Sequence, residues 1–127
     1  MGGGDRAAAA LGAQGERWAA AFLRKRGWQI VGRGFRTPRG EIDLVCRCGG
    51  RLLMAEVKTR RSDRWGRPET AVGEVKQARQ VKQARLRRAA QDYRRLNAWR
   101  GEIAYGIVAI TLRDDGRPQI ELLEHAF

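Results

Sequence analysis

The 127-residue chain has one histidine, two cysteines and no apolar run near the roughly 18 residues of a membrane span. Each shortage narrows the chemistry. The single histidine, His125, stands two residues from the C-terminal end and is a poor candidate for a catalytic base. Cys46 and Cys48 are one residue apart, so on an extended strand they point the same way. With no second Cys or His cluster they do not suggest zinc, and the expectation is buried, reduced thiols in a cytosolic protein. The opening stretch, MGGGDRAAAALGAQ, lacks an apolar block behind a basic start, which argues against a secretory signal. Arg6 occupies the place where a myristoylation motif takes Ser or Thr. A cytoplasmic protein without membrane contact is expected.

Acidic residues are also scarce, with 14 Asp and Glu against 26 Lys and Arg, for a formal net charge of +12. That imbalance favours a polyanionic partner, with nucleic acid ahead of an anionic membrane surface. An Arg-rich proteome would produce the same excess. Hydrophobic residues at 43% and charged residues at 31% suit one soluble domain with a modest core. Residues 1–10 are expected to form a flexible N-terminal segment and 11–127 the domain.

Residues 7 to 26 read as a helix, with Leu11, Gly15, Trp18 and Phe22 on one face and Gly27 as its C′ residue. Strands follow over 28–35, 41–47 and 51–58, then a polar loop over 59–69. A second helix runs from about 69 to 96, carrying the stripe Leu86, Ala89, Ala90, Tyr93 and Leu96. Strands over 102–112 and 119–125 flank a turn at Asp114-Asp115-Gly116. The order αβββαββ predicts a single α/β domain with a mixed sheet flanked by helices. Trp18 and Trp28 are expected in the core, and Trp99 near the end of the second helix. Trp65, in the polar loop, either stacks on an unpaired base or caps the loop onto the core.

The stretch GEIDLVCRCGGRLLMAEVK (40–58) carries the chemistry. Taking Gly49-Gly50 as a two-residue turn, opposed residues sum to 99. Ile42 then faces Val57, Leu44 faces Ala55 and Cys46 faces Leu53, leaving one side wholly apolar. On the other side Asp43 lies opposite Glu56, and Glu41 opposite Lys58. A one-residue slip would mix the two faces. Carboxylates directly across a hairpin have Cβ atoms roughly 5 Å apart and repel unless a cation sits between them. Mg²⁺ fits that role, and Lys58 on the same face would hold or help deprotonate the attacking water. A plain solvated face of an antiparallel sheet accounts for the same charges, with only Asp43 and Glu56 awkwardly placed.

An Asp, a tight hairpin and Glu-x-Lys together resemble the core of the PD-(D/E)XK nuclease superfamily. The closer resemblance is to the YraN family of uncharacterised bacterial proteins, assigned to that superfamily. It runs from about Leu11 to Phe127 and rests on 12–16, GEIDL at 40–44, EVKTR at 56–60, Gly66, Pro68, Ala71 and Val72, Lys76-Gln77, and Ala126-Phe127. The resemblance implies a restriction-endonuclease-like core. It implies Asp43, Glu56 and Lys58 as catalytic residues. Asp43 and Glu56, joined by Glu16 from the first helix, would bind Mg²⁺ or Mn²⁺. Glu41 and Lys76 would be supporting residues. Two features depart from the pattern. Ala104-Tyr105-Gly106 stands where the family has Arg-Phe-Asp. VKQARQ (75–80) is followed by VKQARL (81–86), so either Lys76 or Lys82 matches the family lysine. Six helical residues turn by about 600°, leaving the two lysines roughly 120° apart, so both cannot face one site.

The second helix is strongly basic, with Lys76, Arg79, Lys82, Arg85, Arg87, Arg88, Arg94 and Arg95 opposed only by Asp92. Arg60, Arg61, Arg64 and Arg67 lie just after the hairpin. Like charges at i,i+3 and i,i+4 weaken a helix. A nucleic-acid surface built from Arg60, Arg61, Arg64, Lys76, Arg79, Lys82 and Arg85 is therefore expected, on DNA more than RNA. The expected function is metal-dependent hydrolysis of phosphodiester bonds, carried out by a monomer or a homodimer. A non-catalytic nucleic-acid-binding module and a protein-binding adaptor remain open.

Overall fold

The computed structural model describes residues 2–61 and 72–124, with side chains placed for 10–61 and 80–124. Helix α1 (Gly2–Lys25) starts five residues before the predicted position. It ends at Lys25, one residue before the predicted end, with Gly27 in the predicted capping position. Gly27 has φ +94°, its N–H donates to the Arg24 carbonyl and the Trp28 N–H donates to the Leu23 carbonyl, a Schellman cap. Strands β1 (Gln29–Thr37), β2 (Gly40–Cys48) and β3 (Arg51–Arg61) follow, then helix α2 (Val72–Leu96) and strands β4 (Glu102–Leu112) and β5 (Pro118–Glu124). The expected element order is observed.

The five strands lie in the order β1-β2-β3-β4-β5. Only β3 and β4 run parallel, and they are the pair joined through a helix. Both sheet faces are covered, which explains why β2 and β3 read as nearly continuous apolar runs. Towards α1, Ala19 and Leu23 pack with Leu44, Cys46, Leu53, Ala55, Val108 and Ile110, flanked by Trp18 and Trp28. Towards α2, Leu86, Ala89 and Ala90 pack with Ile42, Val45, Leu52 and Met54, flanked by Phe35, Tyr93 and Trp99. No helix among the described residues is long and apolar enough to cross a membrane.

The β2–β3 hairpin has the predicted two-residue turn and register, with Leu44 opposite Ala55 and Cys46 opposite Leu53. Two expectations are corrected. Ile42 does not continue the apolar side formed by Leu44 and Cys46. It sits in the α2 layer, opposite Phe35 of β1, whose ring meets Tyr93 edge-on with centroids 5.2 Å apart. The cysteines also differ from each other. Both are free, Cys46 is buried and its thiol is pushed up to about 12, but Cys48 is exposed because the strand has passed the core at the turn.

Candidate active site

The β2–β3 ladder stops at Leu44 and Ala55, one residue before Asp43 and Glu56. From there β2 stays paired with β1, while β3 stays paired with β4. Where the strands part, the Val57 N–H donates to Asp43 Oδ2 at 2.8 Å, so a carboxylate takes the place of a backbone acceptor. The two acids predicted to face each other therefore stand at a fork in the sheet.

Glu56 projects from β3 on the side of Met54, towards α2, and is only 1% exposed. Among the described residues neither of its oxygens accepts a directed hydrogen bond. Two ammonium groups face Oε1, Lys82 Nζ at 3.2 Å and Lys58 Nζ at 3.9 Å. Asp43 is held above the usual carboxylate range, chiefly by burial. The Val57 N–H and Lys82 oppose that shift, and Glu56 and Glu41 add to it. Glu16, from α1, is raised too, first by burial and then by the nearby Asp43, against the pull of Arg33. Burial lowers the Lys82 ammonium, but Glu56, Asp43 and Glu41 outweigh it and leave Lys82 above its usual value.

Two motif glycines let the helices approach this fork. A Cβ on Gly15 would strike the Thr59 hydroxyl, so α1 lies directly on β3 there. A Cβ on Gly40 would strike the Arg85 carbonyl, so the α2 backbone lies directly on the start of β2. That contact sets Lys82, one turn before Arg85, against Glu56. Lys82 is thus a site residue that a list of surface charges does not isolate. The six-residue repeat hides it, since spacing alone does not phase α2 against the sheet.

The other expected site residues are distributed unevenly. Glu41 pairs with Arg36 of β1 at 3.3 Å, a partner that counting across the hairpin alone does not reveal. Arg60 and Arg61 are exposed at the end of β3, and Arg85 is exposed on α2. Lys58 and Arg60 line a cavity of about 230 Å³ with Ile107, Ala109, Thr111 and Leu123. The side chains of Lys76 and Arg79, and Arg64, Trp65, Arg67 and His125 entirely, lie outside the described residues. Among the described residues no three Asp, Glu, His or Cys side chains converge as a ready metal-ligand cluster.

The profile of the uncharacterised protein family UPF0102 matches residues 15–110. A UPF0102 protein of Anaeromyxobacter dehalogenans is 42% identical over 119 residues, covering 93% of this chain and 84% of that protein. One from Syntrophomonas wolfei is 41% identical over 118 residues, covering 92% and 96%. One from Geobacter sulfurreducens is 39% identical over 121 residues, covering 92% and 88%. The matched span contains the fork, both motif glycines and Lys82.

Proposed function

The chain belongs to the UPF0102 family, whose name assigns no reaction, and we propose from the geometry that it is a divalent-metal-dependent phosphodiesterase of the PD-(D/E)XK type acting on nucleic acid, DNA more than RNA. One observation carries the proposal. Among the described residues, Glu56 is a buried carboxylate with no hydrogen-bond partner beyond the ammonium groups of Lys82 and Lys58, beside a second carboxylate, Asp43, at the point where the sheet opens. A buried anion so placed is costly unless it is matched by cations.

Mg²⁺ or Mn²⁺ suits this oxygen donor set, with Asp43 and Glu56 as the protein ligands and Glu16 as an orienting carboxylate. When bound, the ion would offset phosphate charge and favour ionisation of the attacking water. Lys58 would hold that water and the phosphate in line. In hydrolysis the water oxygen bonds to phosphorus, the ester P–O bond breaks, and the departing oxygen takes up a proton. The exposed Arg60, Arg61 and Arg85 supply phosphate contacts on either side.

A second reading, a nucleic-acid-binding module without catalysis, is favoured by the two lysines already neutralising Glu56. Cleavage of single-stranded, duplex and branched DNA in Mg²⁺ or Mn²⁺ separates the two. Catalysis predicts cutting by wild type, loss of cutting in Asp43→Ala and Lys58→Ala, and DNA affinity within about threefold of wild type in both variants. DNA binding without cutting under every metal would support the module.

A further inference from the structure

Two charged side chains are buried among the described residues, and they are satisfied differently. Asp92 accepts from Thr37 at 2.8 Å, Arg39 at 3.0 Å and Arg95 at 3.4 Å, a closed structural network. Glu56 instead meets two ammonium groups without a directed hydrogen bond. Its nearer partner is on a different footing from Glu56 itself, since the Lys82 side chain is 48% exposed and the Glu56 side chain 1%. The carboxylate is fixed and the ammonium, on a four-carbon stem, has solvent to move into. The helix beneath it is not free to move, because the Arg85 carbonyl abuts Gly40 and Leu86, Ala89 and Ala90 are packed in the core.

We infer that Lys82 is an internal counter-ion that competes with a divalent cation for Glu56. The inference rests on the metal-site reading given above. Paired with Glu56, the ammonium neutralises the carboxylate and screens it from a second cation. A metal ion on Glu56 and Asp43 meets the Lys82 charge within the same small volume, where like charges repel strongly. The lysine then swings outward on its stem, and its charge becomes available to a substrate phosphate. Lys82 is therefore a positioning residue that keeps the fork stable without metal and raises the metal concentration needed to load it.

The test is Mn²⁺ calorimetry on chelator-treated wild type, Lys82→Met and Lys82→Gln, with melting measured in chelator and in saturating Mn²⁺. Competition predicts about tenfold tighter Mn²⁺ binding in both variants. It also predicts lower melting than wild type in chelator, and a gap that closes in Mn²⁺. The double variant Glu56→Gln/Lys82→Met should bind no Mn²⁺ and regain the metal-free melting temperature. Equal or weaker Mn²⁺ binding by the single variants would overturn the inference and leave the metal site standing. Failure of every protein to bind Mn²⁺, with or without DNA, would overturn the metal-site reading and the competition with it, leaving Lys82 as a simple ion-pair partner.

Discussion

Asp43 carries two duties that pull against each other. Its Oδ2 holds the Val57 N–H, and its charge is buried near Glu56 and Glu41. Burial raises its pKa from the ordinary 3.8, so between that value and its folded value the native chain binds more proton than the unfolded chain. Stability contributed by this group therefore falls as pH rises through that window. Asp43→Asn keeps an acceptor for Val57 and removes the buried charge. Without metal it should melt above wild type at pH 7, with the gap shrinking as pH falls towards 3.8. Melting curves in chelator between pH 4 and 8 measure this, and a variant that melts below wild type at pH 7 would show that the Val57 bond outweighs the buried charge. Much of this neighbourhood is legible in the sequence, because counting across Gly49-Gly50 already sets Asp43 beside Glu56. The partners supplied by other elements are not. Arg36 reaches Glu41 across the β1–β2 ladder and Lys82 reaches Glu56 from α2, and neither follows from a count along one hairpin.

At the level of elements, the local signals are strong wherever they are chemical. Gly27, Gly49 and Gly116 all have positive φ, and each ends a helix or makes a turn where the sequence places one. The order of strands and helices follows from hydrophobic periodicity. What periodicity does not report is where a strand leaves its partner, and so a count across the turn puts Ile42 on the wrong face. The fork depends on how closely α2 sits on β2 at Gly40. Gly40→Ala drives a methyl group into the Arg85 carbonyl, a backbone atom that cannot rotate aside. The expected cost is about 1–3 kcal/mol, the range for overpacking a close contact. Urea denaturation measures it, and a change below about 0.5 kcal/mol, the level of neutral surface substitutions, would mean that the helix gives way freely.

For the whole molecule, two groups can be distinguished among the described basic residues behind the +12 charge. Arg39 and Arg95 bind Asp92, Arg94 binds the Trp99 carbonyl, and Arg47 and Arg51 lie over the rings of Trp99 and Trp28. These hold the structure together. Arg60, Arg61 and Arg85 are exposed, and under the proposed function they are the ones that would meet phosphate. DNA affinity should therefore fall steeply with salt, and Arg60→Ala/Arg85→Ala should reduce the log–log slope by roughly one unit for each phosphate no longer neutralised. Arg39→Ala should lower melting and leave that slope unchanged. Fluorescence anisotropy across a salt series distinguishes the two populations, and an equal effect of both substitutions on slope would refute the division.

The parting of β2 and β3 has one more consequence. Elsewhere the sheet is an apolar partition, with leucines and valines keeping the two helical layers electrically apart. At Asp43 the partition has a port, and this one carboxylate raises Glu16 on α1 while Lys82 on α2 pulls its own value down. One carboxylate at the parting of the strands is thus an electrostatic neighbour of side chains from both helical layers.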